Sequence, residues 1–96
     1  MHARVTMISG SPDGVDTGVA NFQNKALPGI REVGGRGGIL LVDRSSGNAM
    51  AITLWPDEQT MQASEERANE LRREVTEQMN ASEPRVERYE VAVFET

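Results

Sequence analysis

The feature that most constrains this chain is the run over residues 28–55, PGIREVGGRGGILLVDRSSGNAMAITLW. Two stretches rich in branched apolar residues flank a short polar turn over 44–48, so the run predicts a long β-hairpin. A strand and a helix are predicted before the hairpin, and a longer helix and a last strand after it. The order β-α-β-β-α-β therefore organises the whole chain.

Hydrophobic spacing and turn residues predict the bounds of these elements. Strands are expected over 3–9, 30–43, 49–55 and 85–95, and helices over 15–26 and from Asp57 to about residue 79. The dipeptide Pro28-Gly29 is expected to stop the first helix, and Asp57 to cap the second. The glycines around Arg36 predict either a bulge or bend in the second strand, or a place where another backbone or a ligand comes close.

Both faces of the predicted sheet are apolar. In the third strand, Ile52 and Leu54 point to one side while Ala51 and Trp55 point to the other. Two helices cover only one face of such a sheet, and the free face of a lone domain should be polar. We therefore expect the second face to meet the same face of a second copy. The predicted fold is α+β: a ferredoxin-like subunit with an antiparallel four-stranded sheet, a single domain over 1–96 that forms a homodimer.

Charge and composition exclude several classes of function. The net charge is −5 and the sequence pI is about 4.8, which argues against nucleic-acid binding and against anionic membrane surfaces. No apolar run approaches the ~20 residues that span a bilayer, and the N-terminal residues lack a signal-peptide pattern, so a cytoplasmic protein is expected. The chain has no cysteine, and its one histidine is His2, so neither a disulfide nor a metal site is predicted.

The order of elements resembles the dimeric α+β barrel superfamily, in particular its antibiotic biosynthesis monooxygenase-like branch. The resemblance rests on Pro28-Gly29, on the glycines that lead into Ile39-Leu40-Leu41-Val42, and on Ile52-Thr53-Leu54-Trp55 followed closely by a helix cap. It covers nearly the whole chain. It implies two sheets packed face to face in one closed barrel, with a pocket in each subunit between sheet and helices.

The resemblance also implies which residues would carry chemistry. Trp55 matches the tryptophan that lines the pocket in the cofactor-free monooxygenases and in the haem-degrading members. The haem-degrading members use a histidine on the following helix, where this chain has Ser64-Glu65-Glu66-Arg67, and an asparagine on the first strand, where it has Thr6-Met7-Ile8. The aromatic-oxidising members use an asparagine and a tyrosine, where this chain has Ala51 and Met61. The known catalytic sets are therefore not retained.

The candidate pocket lining is Trp55, Phe22, Met61, Arg36 and Tyr89. The first three either line an apolar cavity or fill an ordinary core, since both arrangements use this spacing. Arg36 either binds a carboxylate or phenolate at the pocket mouth or is a solvated residue on a bent strand. Tyr89 is either a proton donor or part of the dimer barrel. The glycines around Arg36 match neither the dinucleotide fingerprint nor the P-loop, so no cofactor is predicted.

We therefore predict a dimeric barrel domain without a retained catalytic set, acting as a binding or structural module. The alternative is a cofactor-independent monooxygenase-like protein acting on a small aromatic or polyketide-type substrate. That substrate would supply the electrons for O₂, and the protein would supply positioning and a dry site. A cavity between sheet and helices, open to a small apolar or aromatic ligand, favours the alternative. A space filled by Phe22, Trp55, Met61 and Leu71 argues against it.

Overall fold

A computed structural model of the chain describes residues 1–67, 69, 70, 73 and 84–96. In chain order its elements are β1 (His2–Ile8), a 3₁₀ turn (Pro12–Gly14), α1 (Val15–Asn21), a π-helical segment (Phe22–Ala26), α2 (Leu27–Glu32), β2 (Gly37–Val42), β3 (Ala49–Trp55), α3 (Glu58–Ala63) and β4 (Arg85–Glu90). Residues 65–67, 69, 70 and 73 are also helical. The predicted continuation of this helix to residue 79 lies outside the described residues.

The four strands form one sheet in the order β2-β3-β1-β4, and every neighbouring pair is antiparallel. The register places His2 opposite Trp55 on one side and opposite Glu90 on the other. At the far end of the central strands, Ile8 lies opposite Ala49. The order and directions confirm the predicted ferredoxin-like α+β fold with its antiparallel four-stranded sheet.

The two faces of the sheet have different surroundings but are both apolar. The covered face packs against helices, and its side chains Arg4, Ile8 and Trp55 are buried. The open face carries the side chains of the alternate positions, and there Ile39 is 43% exposed and Leu41 51% exposed. The described residues of the open face are Ala3, Val5, Met7, Ile39, Leu41, Met50, Ile52, Leu54, Arg85, Glu87 and Tyr89.

The first helical region is longer than its sequence predicts. We expected it to end at Pro28-Gly29, but α1, the π-helical segment and α2 follow one another without a break from Val15 to Glu32. The amide of Leu27 donates to the carbonyl of Phe22, five residues earlier, as in a π-helix. This widened turn directly precedes Pro28, which has no N–H to donate, so proline stands at the start of α2 without ending the helix.

The helix ends instead at Glu32, and Gly34 lies in the turn that follows. The Gly35 amide donates to the Ile30 carbonyl at 2.8 Å and the Gly34 amide to the Arg31 carbonyl at 3.2 Å, the bonding pattern of a Schellman motif. Gly34 has φ +99°, a conformation that glycine adopts without strain. The prediction that a strand begins at residue 30 was therefore wrong: the glycines make a helix-to-strand turn, and β2 begins at Gly37.

The last strand is shorter than predicted, while the cap of α3 is as predicted. We expected the strand to reach residue 95, but β4 ends at Glu90, which lies opposite His2, the first residue of its partner strand. Segment 91–96 has no regular structure. The Asp57 side chain accepts a hydrogen bond from the Thr60 amide at 2.7 Å and so caps α3. Within the described ranges, no helix has the length and apolar character needed to cross a membrane.

Candidate functional site

The predicted aromatic wall of the site is a packed cluster. Trp55 at the end of β3 contacts Ile30 of α2 and Met61 of α3, and all three are buried. Trp55 is 0% exposed, so its ring meets protein atoms and no solvent. Its indole N–H donates to the Thr53 hydroxyl at 3.0 Å, which satisfies the one polar atom of the side chain. The ring therefore offers neither a free face nor a free donor in this conformation.

Arg4, which sequence reasoning did not select, is the charged group of this cluster. It lies on the covered face of β1, directly opposite Thr53, and is 2% exposed. Its guanidinium carbon lies 5.1 Å from the centre of the Trp55 ring, within the range of a cation–π contact. Its Nη2 donates to the Met61 carbonyl at 2.7 Å and to the Ser64 hydroxyl at 3.2 Å. One buried side chain thus joins β1, β3 and the end of α3.

A carboxylate connects this buried cation to the surface. Glu65 lies 3.4 Å from Nη2 of Arg4, measured from Oε1, and the same oxygen accepts from Nε of Arg88 at 2.7 Å. Arg4 and Arg88 are direct partners on neighbouring strands, where two like charges repel each other. Glu65 lies between them and offsets that repulsion. The network therefore holds the turn at Ser64 onto the sheet.

The remaining predicted site residues do not converge on Trp55. Phe22 is buried, and a methyl group at Gly38 would lie 3.2 Å from its Cζ, so the ring packs against the backbone of β2. Arg36 is exposed in the turn before β2, where its amide donates to the Leu54 carbonyl at 2.7 Å. Tyr89 lies on the open face, across the sheet from Trp55 and Met61. Leu71 lies outside the described residues.

Tyr89 has a partner on its own strand. Its hydroxyl donates a short hydrogen bond to Glu87, and this bond is the main reason that the pKa of Tyr89 is raised and the pKa of Glu87 lowered. Arg85 also donates to Glu87, at 2.6 Å, and lowers its pKa further. Arg85, Glu87 and Tyr89 form a polar row along β4 on the open face.

Asn21 is a second buried polar residue that sequence reasoning missed. It lies on the buried side of α1, in line with Val15 and Gly18, and is 5% exposed. Among the described residues, neither its Nδ2 nor its Oδ1 has a hydrogen-bond partner. A buried amide without partners is costly, so it marks a point where a polar ligand atom would be stabilising. A helical asparagine carries no pattern that separates such a position from a surface one.

Comparison with curated proteins gives relatives in one organism. The chain is 36% identical over 95 residues to the uncharacterized protein Rv2558 of Mycobacterium tuberculosis, and 33% identical over 95 residues to the uncharacterized protein Rv2557 of the same organism. These alignments cover 98% of this chain but only 40% and 42% of the relatives. The chain thus spans about two fifths of the length of the curated relatives that it matches. No protein-family model matches the chain.

Comparison with solved structures gives the fold. A monooxygenase from the gene ActVA-Orf6 of Streptomyces coelicolor, in complex with Nanaomycin D, superimposes with a TM-score of 0.74 at 16% identity, over 99% of this chain and 92% of that one. The heme-degrader MhuD of M. tuberculosis, with two hemes bound in its active site, gives 0.70 at 16% identity, over 100% of each chain. A dimeric ferredoxin-like protein from an uncultured marine organism gives 0.70 at 8% identity, over 99% of this chain and 91% of that one.

Sheet order, helix placement and these superpositions agree. They define a ferredoxin-like α+β fold with one covered and one open sheet face. A structure described as an antibiotic biosynthesis monooxygenase shares this fold, with a TM-score of 0.65 at 17% identity, over 94% of this chain and 97% of that one. At 8–17% identity, these superpositions show a shared fold and do not show a shared activity.

Proposed function

We propose that the protein is a homodimeric α+β barrel domain that acts as a binding or structural module and not as an oxygenase. The observation that carries this proposal is the apolar open face. Its centre is made of Val5, Met7, Met50, Ile52 and Leu54, which are half-buried by one another, and its edge of the exposed Ile39 and Leu41.

Burial of this face gives the driving force for pairing. Each Val, Leu, Ile or Met side chain that is fully buried contributes roughly 1.5–3 kcal/mol relative to an exposed one. The polar row on β4 lies to one side of the apolar centre, the arrangement of an interface core with a polar rim. A second copy brings the same apolar surface, so one two-fold contact covers both faces. The structural neighbour described as dimeric has the same subunit fold, which supports this choice of partner.

The covered side of the sheet supports a non-catalytic role. Trp55, the position shared with the oxygenases through the resemblance, is packed and its N–H is bonded to Thr53. Met61 is 1% exposed in the same cluster. Ser64 and Glu65 stand on the helix where the haem-degrading members have their histidine, and both are engaged by Arg4. These described residues pack and hydrogen-bond between secondary-structure elements, which supports a structural role for them.

Light scattering coupled to size exclusion tests the dimer. The wild-type chain is expected to elute as a particle of twice 10.5 kDa. Ile39→Lys places a charge on the open face and should shift the protein to monomer, because an unpaired charge is costly in an apolar interface. Val33→Lys is the matched control, since Val33 is 38% exposed, similar to Ile39, but lies outside the sheet. A monomeric wild type, or equal behaviour of the two variants, would contradict the proposal.

A second candidate function, favoured by Asn21, is the binding of a small ligand on the interior side of α1. A ligand with one acceptor and one donor would satisfy both amide atoms of Asn21. Haemin and Nanaomycin D are suitable probes because structural neighbours are described with hemes or with Nanaomycin D bound. Trp55 is the single tryptophan, so quenching of its fluorescence reports binding.

Two asparagine variants test this candidate. Asn21→Leu should weaken the binding of whichever probe, haemin or Nanaomycin D, quenches the fluorescence of the wild type. The expected loss of affinity is about tenfold or more, equivalent to roughly 1.4 kcal/mol. Asn24→Leu, an exposed position only three residues along the chain, should bind like the wild type. Equal affinity of the two variants would show that Asn21 does not contact the ligand.

A further inference from the structure

A trough crosses the open face at the hairpin end of the sheet. Its volume is about 480 Å³, and every lining residue belongs to β1, β2, β3 or the residues directly beyond their ends. Strand alternation divides the side chains into two rows across the three strands. The apolar row is Leu41, Met50 and Met7, and the polar row is Asp43, Asn48 and Ser9. Between the rows, the floor is formed by Val42, Ala49 and Ile8, whose side chains point to the covered face.

A second exposed apolar feature lies at the opposite end of the sheet. Segment 91–96 begins where the Val91 amide donates to the Met1 carbonyl at 2.9 Å. From there Val93 is 84% exposed and Phe94 55% exposed. Exposed neighbours of this size are costly in water, so they indicate an interaction with another surface.

The segment does not lead toward the trough of its own chain. Segment 91–96 leaves the sheet beyond His2, whereas the trough lies beside Met7, near the other end of the same strand. These ends are separated by the length of β1, about 20 Å at 3.3 Å per residue. A segment of about six extended residues reaches that far only if it turns back completely at Glu90. In a face-to-face dimer whose two-fold axis runs across the strands, it instead faces the trough of the second copy.

We propose that segment 91–96 of each copy lies in the trough of the other copy, with Phe94 against the apolar row. This inference rests on the proposed dimer and adds to it a specific contact. The row contains two methionines, Met7 and Met50, whose sulfur atoms and flexible side chains pack well against an aromatic ring. A crossing from β2 to β4 covers three inter-strand gaps, about 14 Å, the length of roughly four extended residues.

Disulfide trapping tests the contact, because the chain has no cysteine of its own. A tagged Val93→Cys variant is mixed with an untagged Ser9→Cys variant under mild oxidation, and the mixed disulfide is followed on non-reducing gels. Ser9 is in the polar row of the trough, so the mixed product should form at least about tenfold faster than with a matched Ser45→Cys variant, a difference equivalent to roughly 1.4 kcal/mol. Ser45 is exposed in the hairpin turn and does not line the trough.

Three results would overturn the inference. Equal rates with Ser9→Cys and Ser45→Cys, in a protein that light scattering shows to be dimeric, contradict the contact but leave the proposed dimer intact. A Val93→Cys/Ser9→Cys double variant that closes within one chain would show that the segment occupies its own trough. A wild type that is monomeric contradicts the dimer and this contact together.

A second variant tests the contact without cysteines. Phe94→Ser should raise the dissociation constant of the dimer about tenfold or more, because it removes a buried aromatic ring, a change equivalent to roughly 1.4 kcal/mol or more. Val33→Ser, an exposed apolar residue outside the sheet, should leave it unchanged. An unchanged dissociation constant for Phe94→Ser would count against the contact even if the cysteine variants failed to fold.

Discussion

The guanidinium carbon of Arg4 lies 5.1 Å from the centre of the Trp55 ring, so the single tryptophan of the chain packs beneath a buried cation. The pair is held from both sides: the Trp55 indole N–H donates to Thr53, and Arg4 donates to the Met61 carbonyl and the Ser64 hydroxyl. A position that resembles the pocket wall of an oxygenase thus serves here to join the sheet to α3.

Arg4→Met should destabilise the fold by about 2–4 kcal/mol, because it removes one buried donor from the Met61 carbonyl and one from the Ser64 hydroxyl, and leaves Glu65 without one of its cations. Arg44→Met is the matched control. Arg44 pairs with Asp16 at 2.9 Å, but both side chains are exposed, so its loss should cost under about 1 kcal/mol. Urea denaturation of both variants measures the difference. Similar midpoints would show that the Arg4 network contributes little.

Thr53→Val should cost about 1–2 kcal/mol, because the buried Trp55 N–H loses its only described acceptor while the shape of the core is retained. The emission of Trp55 should change along with the unfolding midpoint, since no other tryptophan contributes. Thr17→Val, at an exposed position on α1, controls for the loss of a threonine hydroxyl. An emission spectrum and midpoint identical to those of the wild type would contradict the predicted role of this bond.

Gly47→Ala should destabilise the protein by more than about 2 kcal/mol, because two costs add. Gly47 has φ +83°, and an added methyl group would come within 2.5 Å of the Pro12 nitrogen, where the hairpin turn packs against the loop after β1. Gly37→Ala separates the two costs. Gly37 also has a positive φ, +138°, but its nearest neighbour would be 4.0 Å away, so only backbone strain applies. Gly47→Ala should therefore have a lower thermal unfolding midpoint than Gly37→Ala. The reverse order would contradict the close packing of Gly47 against Pro12.

Asp57 predicts a pH dependence with a definite sign. Its hydrogen bonds from Thr60 are the main reason that its pKa lies below the ordinary value of 3.8. A carboxylate with a lowered pKa in the folded state contributes stability above the unfolded value, and the contribution disappears as the pH falls through the folded pKa. The advantage of the wild type over Asp57→Asn should therefore be present at pH 7 and vanish below 3.8. The difference in thermal unfolding midpoint between the wild type and Asp57→Asn, measured at pH 7 and again below pH 3.8, tests this prediction. A difference that persists below pH 3.8 would contradict a stabilising role of the Asp57 carboxylate charge.

Local chemistry explains why some elements were predictable. The turn over 44–48, the alternation of β3 and the cap at Asp57 depend on nearby residues, and the structure has each where the pattern indicates. The first helix was mispredicted because Pro28 normally ends a helix, but a π-helical turn before it removes the need for its missing N–H. The residues that do end the helix are Gly34 and Gly35, through their hydrogen bonds to Arg31 and Ile30. The sequence pattern had placed these two glycines inside a strand.

The sequence by itself determined the order of elements and the apolar character of both sheet faces, because strand alternation and helical spacing are local periodicities. Only the tertiary structure decided which charged residue enters the core. Arg4 has no sequence pattern that separates it from the exposed Arg85, and it is buried because Trp55, Met61 and Ser64, distant in sequence, meet it with a ring face and two acceptors. Such a match depends on positions in space, which a linear pattern does not contain.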